Sequence, residues 1–193
     1  MLQVLIKPST PIITLAEAKR HLGVTSDERD TDIESMIDAA TSYIARRCGR
    51  TFGTTLYRLS LDEDQVEDGS FTKIELPYPP VQSVALIEYE DANGTTTELL
   101  DYQLVSTDEC AYVLPAAGER WPAVQDENAT AFRIEYLAGY SEVPAEAKHA
   151  VKVLIRHWYD NASTVLTGTI SKEIELSLSS LCRSLGTGWY ADL

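Results

Sequence analysis

The run from Phe132 to Asn161, FRIEYLAGYSEVPAEAKHAVKVLIRHWYDN, constrains the fold more than any other segment of the chain. Phe132, Ile134 and Tyr136 alternate with Arg133 and Glu135, the period of a half-buried strand. Gly139 then offers a turn, and Pro144 suits a first helical turn, where its missing N–H costs nothing. Ala147, Ala150, Val151, Leu154, Ile155 and Trp158 follow at helical spacing and form one apolar face. That face must be covered, and the most economical cover is a second amphipathic helix far away in sequence.

Thr31–Cys48 supplies one. Ile33, Met36, Ile37, Ala40, Tyr43 and Ile44 keep helical spacing. Thr31 with Glu34 matches a capping box, Asp32 adds an acid to the first turn, and Arg46 and Arg47 stand in the last turn. Gly49 follows as a left-handed C-terminal residue. A shorter helix precedes it, with Thr14 and Glu17 as its capping box, Leu15, Ala18 and Leu22 on one face, and Gly23 at its end.

From about Thr54 to Leu137 the chain changes to short strands and turns. Tyr57, Leu59 and Leu61 alternate with Arg58, Ser60 and Asp62. Val84–Tyr89 and Thr95–Leu100 flank Asp91-Ala92-Asn93-Gly94, and Asn-Gly is a strong hairpin signal. Pro77, Pro79 and Pro80 confine any strand before Val81 to a sheet edge, and Tyr112–Leu114 reads as one more short strand. The fold class is therefore α+β: a small antiparallel bundle of two N-terminal helices and one C-terminal helix, with an antiparallel β module inserted between them. At 193 residues a single domain is the default. Its parts are the N-terminal helices (1–52), the β-rich insertion (53–143), the packing helix (144–161), and a linker, short helix and aromatic tail (162–193).

The order and wording of these pieces resemble the phage head–tail connector (adaptor) proteins, in their longer form with a β insertion. Thr14-Leu15-Ala16-Glu17-Ala18-Lys19 with His21-Leu22 is similar to that family's first helix. Asp32-Ile33, Ala39-Ala40, Tyr43-Ile44 and Cys48-Gly49-Arg50-Thr51-Phe52 are similar to its second helix and exit. Leu76-Pro77, Pro80-Val81-Gln82-Ser83-Val84, Ile87-Glu88-Tyr89 and Asn93-Gly94 resemble the start of the insertion. Tyr136-Leu137-Ala138-Gly139-Tyr140, Val143-Pro144 and His157-Trp158-Tyr159-Asp160-Asn161 resemble the return and third helix. The likeness spans about residues 14–161, and it departs after Asn161, where the family pattern has Arg-Glu and this chain has Ala162-Ser163.

The resemblance implies a structural virion protein at the head–tail interface, made in the cytoplasm of a bacterial host. It would form a ring of about twelve subunits between the portal and a tail or head-closure protein, with DNA passing through the lumen unbound. No cofactor, metal or membrane is implied. The alternative within virion proteins is a head-closure or tail-terminator ring component. The alternative from another class is a small hydrolase using Ser141.

Charge agrees with the ring. With 30 acids against 16 bases the net charge is −14. An acidic chain is a poor general DNA binder, because such binding runs on phosphate neutralisation by Lys and Arg. Twelve copies at −14 would carry −168 formal charges, and an acidic lumen would let DNA slide without sticking. The plainer reading of the charge is solubility.

Other clusters carry less. Asp62-Glu63-Asp64-Gln65-Val66-Glu67-Asp68-Gly69 fails as an EF-hand loop, because Val66 and Glu67 fall on the fifth and Gly positions, so it reads as a solvated acidic turn. Lys148, Lys152 and Arg156, spaced by four, are either a solvated face or a contact stripe for an acidic neighbour such as the adjacent subunit. Gly139-Tyr140-Ser141-Glu142-Val143 lacks the second Gly of a nucleophile elbow, and His21, His149 and His157 form no metal or catalytic motif. Cys48, Cys110 and Cys182 have no CxxC spacing and read as reduced, mostly buried thiols in a cytosol. The sequons at Asn93, Asn128 and Asn161 read as accidents of Asn-rich turns, since Met1–Ile6 is too short for a signal peptide.

Ala162–Lys172 reads as a mobile connection, and Ile174, Leu178, Leu181 and Leu185 share a face of a short helix. Trp189 and Tyr190 end the chain, either folded back on their own domain or docked on a portal or neighbouring subunit.

Overall fold

The computed structural model describes residues 1–8, 11–62, 66, 73–161 and 172–185. The elements run β1 (Leu2–Ile6), α1 (Leu15–Leu22), α2 (Asp30–Cys48), β2 (Thr55–Leu61), β3 (Ile74–Glu75), β4 (Val81–Glu90), β5 (Thr96–Glu98), β6 (Tyr102–Ser106), β7 (Ala111–Pro115), β8 (Phe132–Ala138), α3 (Ala145–Asp160) and α4 (Lys172–Ser184). The class is α+β, as expected. The elements fall into two compact units, one of Met1–Pro8 with Thr54–Tyr140, the other of Ser9–Gly53 with Ser141–Leu193.

In the β unit the alternation from Phe132 forms the central strand β8. Phe132, Ile134, Tyr136 and Ala138 are buried, and β2 and β4 pair antiparallel on its two sides. The five-stranded order is β1-β2-β8-β4-β5, and a three-stranded sheet runs β3-β7-β6. The two sheets share one core, in which Leu59, Leu61, Ile87 and Ile134 meet Ile74 and Val113, and the Trp121 ring stands edge-on to Phe132 with centroids 5.4 Å apart. Ser106 ties the sheets at the corner: its Oγ accepts the Val81 N–H (3.2 Å) and donates to the Val81 carbonyl (2.7 Å).

The Asn-Gly hairpin forms with a three-residue loop. Asp91 N–H donates to Thr95 O (3.0 Å), Gly94 N–H donates to Asp91 O (2.8 Å), and Gly94 takes φ 77°. No strand forms at the prolines themselves; β3 ends ahead of them and lies at the edge of the three-stranded sheet. Two strands were not read from the sequence. β6 pairs with β7, and β1, which precedes the helices, pairs with β2 from Leu2↔Leu59 to Ile6↔Leu56. The β region thus also draws on residues ahead of α1. The run Leu2-Gln3-Val4-Leu5-Ile6 lacks the polar/apolar alternation that marks a half-buried strand, and at this sheet edge Val4 and Ile6 stay 49% and 60% exposed.

In the helical unit the Thr14–Glu17 box caps α1: Thr14 N–H donates to Glu17 Oε2 (2.8 Å) and Glu17 N–H to Thr14 Oγ1 (3.2 Å). The box expected at Thr31 and Glu34 does not form. The cap of α2 falls two residues earlier, at Arg29, with no side-chain cap, and Thr31 lies inside the first turn. The turn before it decides this, because Asp30 N–H already bonds Asp27 O (3.2 Å) and Ile33 N–H bonds Arg29 O (3.0 Å). Lys19 holds that turn through ion pairs to Asp27 (2.6 Å) and Asp30 (2.7 Å). At the far end Gly49 takes φ 60°, a left-handed conformation that costs a side chain energy, so Arg50 N–H reaches Ala45 O (3.0 Å) and Gly49 N–H reaches Arg46 O (3.3 Å).

Pro144 sits just ahead of α3, where its carbonyl accepts the Ala147 (3.1 Å) and Lys148 (3.2 Å) N–H groups. The two distant apolar stripes then meet. Ile33, Ile37, Ala40 and Ile44 of α2 and Ala147, Ala150, Val151, Leu154 and Ile155 of α3 are buried where the helices pack, and Trp158 is half-buried. Each such large aliphatic side chain removed from water contributes about 1.5–3 kcal/mol. α1 adds Ala18 and Leu22. α4 forms where the Ile174–Leu185 spacing placed it and packs on α2 and α3 through Leu178 and Cys182. The connection at 162–171 and most of the acidic run 62–69 lie outside the described residues. Among the described residues no helix is long and apolar enough to cross a membrane.

Candidate interaction site

The basic row on α3 faces α1. Lys148 and Lys152 are half-buried and Arg156 is exposed. Arg156 is committed within the chain: Nε donates to Asp160 Oδ2 (2.6 Å), and Nη1 donates to Leu22 O (3.2 Å), a carbonyl left open at the end of α1. Glu17, also on α1, has its carboxyl held below the ordinary value. The backbone N–H of Thr14 is the main cause, burial opposes it, and Lys152 and Lys148 add a through-space attraction. The row therefore serves the helical unit first, with the two lysines still half open to a neighbour. Trp189 and Tyr190 lie outside the described residues.

The helical unit gathers a second group of polar and nucleophilic side chains where α4 crosses the end of α2. Arg47 Nη2 donates to Ser179 Oγ (2.7 Å) and stands 3.9 Å from Glu175 Oε1. One turn on, the Cys48 thiol donates to the Cys182 sulfur at 2.7 Å. Both cysteines are buried free thiols, while Cys110 in the β unit is exposed. The Cys48 thiol is pushed up, first by this hydrogen bond and then by burial, with Arg50 and Arg47 pulling the other way. Cys182 is drawn down, chiefly by the same bond. Arg50 itself is fully buried, and its Nε, Nη1 and Nη2 make no hydrogen bond.

Sequence reading missed this cluster. The signal was present, since Cys48 and Cys182 each follow a buried apolar residue, Ile44 and Leu178, by four positions on their helices. That spacing places both on apolar faces, and nothing local says that the two faces meet.

Ser141 lies exposed in the turn before α3 and His149 is exposed on that helix. His157 is occupied at the helix end, where Asn161 Nδ2 donates to its carbonyl (2.8 Å) and lies 3.3 Å from its Nδ1. No nucleophile–base pair is assembled there.

The family model for head completion proteins (HCP) matches residues 11–177. Among solved structures, a chain in the virion of a native gene transfer agent (GTA) particle superposes with a TM-score of 0.77 at 21% identity, covering 97% of this chain and 95% of that one. A chain from the neck of the native GTA particle, computed with C12 symmetry, gives 0.76 at 21% with the same coverage. A chain from the neck of the empty particle, computed with C6 symmetry, gives 0.74 at 20%, also covering 97% and 95%. At these identities the likeness establishes the fold. No curated protein sequence matches the chain. With a family match over well more than half its length, the chain belongs to the head completion protein family and is a structural virion protein of the head–tail connector type rather than an enzyme.

Proposed function

We propose that this chain works as a single connector domain, the adaptor that assembles as a ring between portal and tail in the virion neck. The observation that carries the reading is the likeness over 97% of the chain to a neck protein resolved with C12 symmetry. A twelve-fold ring of chains at −14 each presents phosphate with a repelling lumen, which suits passage of DNA without binding. Lys148 and Lys152, together with the terminal Trp189 and Tyr190, are the contacts offered to the portal or the adjacent subunit. The open edge of β1, with exposed Val4, Leu5 and Ile6, also fits contact between subunits.

Imaging the purified chain mixed with portal by electron microscopy tests the reading. A stacked ring of chains on the portal is the expected product. Binding to tail and not to portal would make the protein a head-closure or tail-terminator component, and failure to form any ring would overturn both. Deleting residues 186–193 should weaken attachment to portal while leaving the melting temperature unchanged. Undiminished attachment removes Trp189 and Tyr190 from the interface.

A further inference from the structure

We propose that Cys48 and Cys182 form a redox-closable staple, in which joining the two sulfurs locks α4 onto the end of α2. The geometry is nearly that of the closed bond. The sulfurs lie 2.7 Å apart, against about 2.05 Å in a disulfide, so closure needs a shift well under 1 Å. Both are shielded, at 4% and 7% exposure, and both sit on helices that the packing already holds together. They are 134 positions apart in sequence, so the bond would close a long loop and restrain the unfolded chain strongly.

The surroundings favour an anion at this point. Arg50 is a fully buried guanidinium without a hydrogen bond that acts through space on the Cys48 sulfur, and Arg47, which reaches Ser179 on α4, acts on both sulfurs. A buried positive charge is costly unless a negative one accompanies it. A thiolate shared by the two sulfurs supplies that charge, and thiolate is the reactive form of cysteine.

The oxidant is a small-molecule disulfide, RS–SR. The Cys182 thiolate attacks one of its sulfurs, a Cys182–SR bond forms, the RS–SR bond breaks, and RS⁻ leaves and takes the proton that Cys182 had released. Cys48 then gives up its proton and attacks the Cys182 sulfur. The Cys48–Cys182 bond forms, the Cys182–SR bond breaks, and the second RS⁻ leaves with that proton. Two protein thiols are oxidised to one disulfide while RS–SR is reduced to two RSH. A virion protein meets both conditions, because the host cytosol keeps thiols reduced and the medium outside does not. Local opening of α4 admits the reagent. The staple thus keeps the pair open during assembly and closes it in the released particle. It rests on the virion assignment for its setting and not on ring formation, so its test uses the free chain.

The test is oxidation of the full chain in a Cys110→Ser background, which removes the exposed thiol. After incubation with oxidised glutathione just below the melting temperature, both remaining thiols should disappear together and the chain should lose the mass of two hydrogens. A non-reducing peptide map should join the Cys48 and Cys182 peptides. The melting temperature should rise by about 5–15 °C and fall back with a reductant. Cys48→Ser and Cys182→Ser variants should show no such rise, and Arg50→Met should slow closure several-fold. Persistence of both free thiols, a stable glutathione adduct in place of the cross-link, or a cross-link without any rise in melting temperature would overturn the proposal.

Discussion

The β unit and the helical unit treat buried polarity in opposite ways. In the β unit the charges on the sheet are paired, Arg58 with Glu135 and Arg133 with both Glu88 (3.3 Å) and Glu90 (2.9 Å), and the buried Tyr136 hydroxyl donates to Pro77 O at 2.8 Å. In the helical unit the guanidinium of Arg50 is enclosed without a hydrogen bond, near enough to the Cys48 thiol to act on it through space. A sheet built from long-range ladders completes its polar groups across strands. A helix end offers only its last turn, and here that turn is closed by Gly49 and Arg50 themselves.

Substitutions can break or sharpen that contrast. The largest effect is expected in the β unit: Phe132→Ala, which removes a fully buried ring packed against Trp121, should cost about 3–5 kcal/mol in denaturant unfolding. Arg50→Met tests the other side by its sign. With a thiolate of the Cys48–Cys182 pair to balance the guanidinium, removing it should cost stability, and a variant as stable as wild type or more so would mean that the charge stands uncompensated. Tyr136→Phe should cost about 1 kcal/mol, because the half-buried Pro77 carbonyl loses its donor.

The smallest effect belongs to the α1 cap. Thr14→Ala should cost about 1 kcal/mol near neutral pH. The Glu17 carboxyl is depressed in the folded chain, so its contribution is complete above the ordinary carboxylate value of 4.5 and disappears as pH falls through the lower folded value. The gap between wild type and Glu17→Ala should therefore narrow in acid unfolding, and a gap independent of pH would exclude the Glu17 carboxylate as its source.

Local rules were legible wherever one residue type answers one backbone demand. Thr14 and Glu17 cap, Gly23 and Gly49 close, Asn93-Gly94 turns, and the Phe132–Ala138 alternation is a strand buried on one face. The Thr31–Glu34 box failed although its wording was sound, because Lys19 on another helix stabilises the Asp27–Asp30 turn and starts α2 sooner. The spacing of four puts the basic row on one side of α3. Its commitment of Arg156 to Leu22 and Asp160 depends on where α1 ends in space.

From residue order alone came the helices, the α1 cap, the glycine ends of α1 and α2, the α+β class and the family resemblance, since each depends on spacings of a few positions. Tertiary packing supplied the rest. It recruited Leu2–Ile6 as an edge strand, enclosed Arg50, and brought Cys48 to 2.7 Å from Cys182. Contacts between residues more than a hundred positions apart leave no local period to read, because they are selected by which apolar faces fit together and not by what either face contains.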